Sequence, residues 1–340
     1  MKLGINIAQL KEEYIPHIID LGVDSILLAF HISLPDKKLL QMLVDKGVEV
    51  HARYIPLRVE RDFLDPDIVK EYGDIVSHWE FGGEPDIKKD EPGCRWEGTP
   101  EEYIKVLKEF AHLVPPAATL GTGSFYSGSS YGLRGADHTE FIHRLCRCRI
   151  DDVVDSLSLV MWTRYYGGIQ QLYSAYYNFI SILNLYHIDK PLAVTEFGTA
   201  ENISGDCPYT CIDQADDFIK TYIIFRHLGY EAAYYFKLEY LKEGADQHWG
   251  LLDKNGNRTT AFYAVKTTHK YLKDMQFYRR SAPHFASEWW KNDYIFHYIF
   301  DAGDKWLHII WHDLEEPIEY KDLIITRHPL FIEKKKGELI

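Results

Sequence analysis

Nowhere in its 340 residues does the chain run apolar for the ~18 positions that a membrane span requires, so none is expected. A basic surplus is missing too. Its 51 acidic residues outweigh 38 basic ones for a net charge of −13, which argues against a nucleic-acid partner. The one basic run, Lys334-Lys335-Lys336, is short and reads as a solvated tail. No GxGxxG or GxxxxGK[ST] follows the first apolar segment, which weakens the nucleotide-binding folds, and no HExxH offers a metal. Cysteines are few and odd in number: Cys94, Cys146, Cys148, Cys207 and Cys211. Neither CRC nor CPYTC has the CxxC spacing of a zinc knuckle, so reduced packing thiols are expected, with a Cys207–Cys211 disulfide as the next reading. The opening MKLGINIAQLKEEY lacks a long apolar signal segment, and a cytoplasmic location is the expectation.

What is present is regular. Short apolar runs at 2–7, 25–30, 48–54, 75–83, 117–123, 156–162, 192–198 and 232–238 read as strands. Helical periodicity fills the intervals, most clearly over 99–114, where Thr99, Pro100 and Glu102 form an N-terminal capping signature. Other helices are expected at 34–46, 138–150, 169–187, 213–228 and 259–273, and Asp65-Pro66 opens a further one. Eight strands alternating with helices predict a (β/α)8 barrel over 1–275. From 276 to 340 β-branched and aromatic residues alternate with polar ones, and turns such as Ala302-Gly303-Asp304 separate them. That texture predicts a small C-terminal β-sandwich whose role is to stiffen the barrel.

Carboxylates interrupt two of the strands. In HWEFGGEPD, 78–86, Glu80 and Glu84 alternate with Gly82 and are expected to share the barrel interior, with Glu84 at the strand's end. Glu80, deeper down, needs a cation, and Arg53 on strand three is the candidate. In LAVTEFG, 192–198, Glu196 ends strand seven. Chemistry in such barrels sits at the C-terminal ends of the strands, so Glu84 and Glu196 are the pair that could flank a bond. His51 and Arg53, near the rim of strand three, could reach the same cleft. Trp249, in a loop after strand eight, could stack on a sugar ring. Aromatics make up 14% of the chain, which suits either core packing or a cleft for flat amphipathic ligands. The Gly/Ser/Tyr-rich stretch 121–137 lies on the same face and could cover the cleft.

HWEFGGEPD resembles the strand-four motif of the clan A retaining glycoside hydrolases, and LAVTEFG resembles their strand-seven nucleophile motif. HWGLLDKNGNRTTAFYAV, 248–265, is similar to the strand-eight segment of family 39-like members. The resemblance implies a β-glycosidase with Glu84 as acid/base and Glu196 as nucleophile, acting on an oligo- or polysaccharide without a cofactor. It also exposes departures. Gly83 stands where the family has asparagine, Val160 replaces a histidine, and Trp162 replaces a tyrosine whose hydroxyl Tyr165 or Tyr166 could restore. Phe236 or Lys237 takes the place of the strand-eight tryptophan. Two alternatives therefore stand beside the hydrolase: a non-catalytic carbohydrate-binding barrel, favoured by Gly83 and Val160, and an unrelated lyase or aldolase using Lys237.

Overall fold

The computed structural model describes residues 1–30, 34–55, 65–87, 96–126, 136–162, 170–202, 210–243, 247–281, 295–312 and 316–338. Eight parallel strands form a (β/α)8 barrel: Lys2–Ile7, Ser25–Ala29, Glu49–Tyr54, Val76–Phe81, Thr119–Thr122, Leu157–Trp162, Leu192–Gly198 and Ala232–Tyr235. Counted as barrel strands one to eight, they run in the order 5-4-3-2-1-8-7-6, and isolated bridges Gly121–Ser156 and Phe125–Leu159 join strands five and six.

Local chemistry sets the helices between them. In Pro100–Ala111 the Thr99 hydroxyl accepts from the Glu102 N–H at 3.2 Å, and the Glu102 carboxylate accepts from the Thr99 N–H at 2.7 Å. Two of the helix's four orphan donors are thereby satisfied. Thr210 and Asp213 repeat the device at Cys211–Leu228. Cys146, Cys148 and Cys211 carry free thiols, while Cys94 and Cys207 lie outside the described residues. No helix among the described residues is long and apolar enough to cross a membrane.

Alternation along the strands sorts the side chains. Leu3, Ile5, Val50, Ala52, Trp79 and Phe81 are buried in the main core formed with the helices. The other face fills the barrel differently. Leu27, Ala193, Ala232 and Tyr234 make a small apolar plug, but strand partners His51–His78 and Arg53–Glu80 add a polar column beside it. The His51 ring meets His78 edge-on at 4.2 Å and Tyr234 at 4.9 Å. Both imidazoles are held well below the ordinary histidine range, chiefly by burial. Below them a cavity of about 420 Å³ opens at the N-terminal pole, lined by Lys2, Glu49, His51, His78 and Tyr234 among others.

The C-terminal segment folds as antiparallel sheets, one of four strands (Gln276–Arg280, Ile295–Asp301, Lys305–His312, Leu330–Lys335) and one of two (Ile318–Tyr320, Leu323–Ile325). It packs on the helices Gln170–Leu185 and Cys211–Leu228. There the Tyr173 and Tyr298 hydroxyls bond to each other, and the Arg226 guanidinium lies 5.4 Å from the Phe300 ring. Inside the larger sheet His297 Nε2 and His308 Nδ1 are 2.9 Å apart, a contact in which one ring donates and the other, unprotonated at that nitrogen, accepts. Burial lowers His297 to about 3 and His308 to about 4.

These buried neutral histidines dictate a pH dependence. The unfolded chain takes up protons as pH falls through about 6.5 while the folded chain does not, so stability falls with falling pH. Each histidine contributes up to about 1.4 kcal/mol per pH unit in that window. Calorimetric scans at pH 7.5 and 5.5 are expected to show a melting temperature lower by several degrees at the lower pH. An unchanged value would contradict the assignment.

Candidate active site

Strand four ends at Phe81, earlier than the sequence suggests. Gly82 then adopts φ +88°, a left-handed conformation open to glycine at little cost, and its N–H donates to the Tyr54 carbonyl at 2.7 Å. Glu84 is also left-handed, at φ +47°. This corrects the expectation that Glu80, Gly82 and Glu84 share one face by simple alternation, because period-two geometry stops at Phe81. Glu84 is instead aimed by the turn. Its N–H donates to the Ser124 carbonyl at 3.0 Å, and its own carbonyl accepts from Ile87 at 3.1 Å. A non-glycine residue in this region costs of order 1–3 kcal/mol and persists where its surroundings over-determine it. Tyr103 helps, its hydroxyl donating to the Phe81 carbonyl at 2.7 Å and accepting from the Gly123 N–H at 2.8 Å.

Glu196 lies within strand seven, paired in register with Val160 of strand six, and its side chain is 16% exposed. Arg53, buried on strand three, joins Glu196 to Glu80. Its Nε donates to Glu80 Oε1 at 2.6 Å, its Nη1 to the Glu196 carboxylate, and its Nη2 to Ser124 Oγ at 2.8 Å and Thr195 Oγ1 at 3.0 Å. Ser124 Oγ in turn donates to Glu80 Oε1 at 2.9 Å. Burial alone would lower the Arg53 pKa, but the charges of Glu80, Glu196 and Glu84 drive it above the usual guanidinium range. Three carboxylates thus act on one buried cation. Glu80 is wholly buried, as a structural partner of Arg53 should be. Sequence reasoning anticipated that pair and missed Ser124 and Thr195, whose hydroxyls carry no motif.

Beside Glu196 stands an aromatic corner. Trp162, in register with Gly198, meets Phe236 at 5.3 Å and Trp249 at 5.1 Å, and Phe236 meets Trp249 at 5.5 Å, all edge-to-face. Trp162 and Phe236 are half-buried. Trp249 is buried, and it belongs to a strand, Gln247–Trp249, of a small three-stranded sheet rather than to a loop. Gly83 is buried in the turn before Glu84. Lys237 is buried at the end of strand eight, with Nζ 3.8 Å from Glu239 Oε1 and 5.5 Å from the Phe236 ring centre.

His51 is not brought to this rim. It lies below Glu80, with Nε2 3.4 Å from Glu80 Oε2 but without hydrogen-bond alignment, and it lines the opposite pole. As a neutral imidazole it forms no ion pair there, so its reading as a cleft residue is corrected: its place on strand three points it inward two residues too early. Tyr165, Tyr166 and residues 127–135 lie outside the described residues. Among the described residues, no group of three or more His, Cys, Asp or Glu side chains is arranged to hold a metal.

The backbone as a whole superposes on known enzymes. The solved structure of a family 39 glycoside hydrolase from the gut symbiont Bacteroides cellulosilyticus WH2 matches with a TM-score of 0.73 at 15% identity, covering 98% of this chain and 81% of that one. The fold is one that glycoside hydrolases adopt. A glucosidase from Croceicoccus marinus matches with a TM-score of 0.64 at 14% identity, covering 96% of this chain and 80% of that one. A family 30 endoxylanase from Clostridium papyrosolvens C71 gives 0.57 at 12% identity, over 98% of this chain and 93% of that one. No protein-family model and no curated protein matches the sequence. At these identities the likeness is one of fold.

Removing one member of a buried ion pair leaves the other charge uncompensated, at a cost of about 3–5 kcal/mol. Glu80→Ala leaves Arg53 with Glu196 as its remaining carboxylate partner, so a smaller loss of unfolding free energy, about 1–3 kcal/mol, is expected in urea titrations. A loss below about 1 kcal/mol would show that Arg53 does not depend on Glu80.

Proposed function

We propose that the chain is a retaining glycoside hydrolase that cleaves β-glycosidic bonds in oligo- or polysaccharides, with Glu196 as nucleophile and Glu84 as acid/base. The observation that carries this reading is the Arg53 bond to Glu196 at the C-terminal rim, within the field of Glu84. Fold likeness to glycoside hydrolases supports it.

The residues divide the work as follows. A carboxylate oxygen of Glu196 attacks the anomeric carbon while Glu84 gives its proton to the departing oxygen, and the carbon–oxygen bond breaks. Glu84, now a carboxylate, takes a proton from water. The resulting hydroxide oxygen displaces Glu196 and restores both side chains. This scheme asks for about 5–5.5 Å between the carboxyls. Arg53 serves it by fixing one oxygen of Glu196 and setting a permanent positive charge against it. The aromatic corner of Trp162 and Phe236 offers an apolar face for a sugar ring beside the nucleophile. Gly83 supplies no side-chain donor, so the hydroxyl at the sugar's 2-position must be read elsewhere.

Those two substitutions favour one competing reading, a barrel that binds glycans without turnover: Gly83 before the acid/base, and Val160 as the strand partner of Glu196. Aryl β-xylosides, β-glucosides and β-mannosides separate the two. Hydrolysis by the wild type is expected, with Glu196→Gln reducing kcat by at least ~10⁴-fold. Glu84→Gln is expected to spare nitrophenyl leaving groups far more than unactivated sugars, because a good leaving group needs no proton. Equal rates for both variants and the wild type would remove these residues from the chemistry.

A further inference from the structure

Resting on the hydrolase reading, we propose that the rim of strands eight and one carries glycone subsites. The preferred substrate then has at least two neutral sugar residues on the non-reducing side of the scissile bond. Two cavities, of about 740 and 570 Å³, open on this rim. The first is lined by Gln9, Tyr14 and Glu239, the second by Glu201, His248 and Trp249, and both share Tyr240 and Asn255. Each volume falls in the range that holds a ligand larger than one monosaccharide.

The placement follows from chain order. Gln9 follows strand one, Glu201 follows strand seven, and Glu239 and Tyr240 follow strand eight, so the groove lies on the same face as Glu196. Trp249 connects the two places, lining the second cavity and meeting Trp162 of the aromatic corner at 5.1 Å. Strand eight separates strand one from strand seven in the barrel order, so the groove extends from the nucleophile on the side away from strand four. The leaving group must lie towards Glu84, which protonates it. A groove on the other side therefore takes the glycone.

Its lining suits a carbohydrate. Tyr240 is half-buried and braced edge-on by His248 at 5.4 Å, which holds its ring as a stacking surface between the two cavities. Glu239 Oε1 accepts from the Ala8 and Gln9 N–H groups at 2.5 and 3.2 Å. Its Oε2 is buried and has no hydrogen-bond partner among the described residues. Lys237 Nζ lies 3.8 Å from Oε1, so this carboxylate pins the turn after strand one and shapes the groove wall. Around the two cavities the carboxylates Glu13, Glu201, Glu239 and Asp253 stand against Lys11, Lys242 and Lys254, which leaves no basic surplus for an acidic sugar and favours neutral ones.

The test compares 4-nitrophenyl β-xylosides and β-glucosides carrying one, two or three β-1,4-linked sugars. We expect kcat/KM for the trioside to exceed that for the monoside at least tenfold, and Tyr240→Ala to reduce this ratio roughly tenfold. Tyr240→Phe, which keeps the ring, should preserve the ratio. Equal kcat/KM for monoside and trioside, or a Tyr240→Ala variant that leaves the ratio intact, would overturn the subsites and leave the hydrolase reading standing. Should the wild type hydrolyse none of these compounds, calorimetric titration with xylotriose and cellotriose decides. Binding that Tyr240→Ala weakens would support the groove and overturn only the chemistry, whereas no binding would overturn both.

Discussion

The guanidinium of Arg53 is held inside the barrel by Glu80 on one side and Glu196 on the other, and the candidate site is arranged around it. A buried cation is tolerable only when its charge and its N–H groups are met. Here two carboxylates and the hydroxyls of Ser124 and Thr195 meet them. The same contacts tie strands three, four and seven together with the segment after strand five, the elements that present Glu84 and Glu196. Ser124 is the junction, since its hydroxyl bridges Arg53 and Glu80 while its carbonyl holds the Glu84 N–H.

The barrel spends its interior unevenly. Apolar side chains plug one part, and below Glu80 a neutral pair, His51 and His78, faces a polar cavity at the N-terminal pole. On the outside, the C-terminal sheet packs on two helices through Tyr298 and Phe300. Preorganisation is what a positioned nucleophile needs, because small displacements of reacting groups are costly in rate. The left-handed backbone at Glu84 is consistent with the same demand: strain concentrated where a side chain must be aimed.

Much of this was legible in the sequence, for identifiable reasons. Strand and helix periodicity is strong where one face is buried, so the alternation that makes the barrel could be read directly, as could the Thr99–Glu102 cap. The buried Arg53–Glu80 pair followed from the cost of a lone carboxylate on a strand. Legibility ended where periodicity did. Gly-Gly-Glu-Pro after Phe81 breaks the alternation, so the orientation of Glu84 depends on a turn and on Ser124, a residue from elsewhere in the chain. His51 was misplaced for a related reason: composition locates a residue on a strand but gives no height within the barrel. The small sheet that carries Trp249 is built from segments 45 residues apart in sequence and has no local signature.

Trapping the glycosyl-enzyme tests the central claim most directly. Incubation with 2-deoxy-2-fluoro-β-glycosyl fluorides of xylose, glucose and mannose, followed by proteolysis and mass spectrometry, is predicted to find one fluoroglycosyl group on the carboxylate of Glu196. Arg53→Ala should label far more slowly than the wild type, because the nucleophile loses the cation that orients it. A label on any other residue, or hydrolysis of aryl glycosides by a protein that never acquires a label on Glu196, would contradict the account.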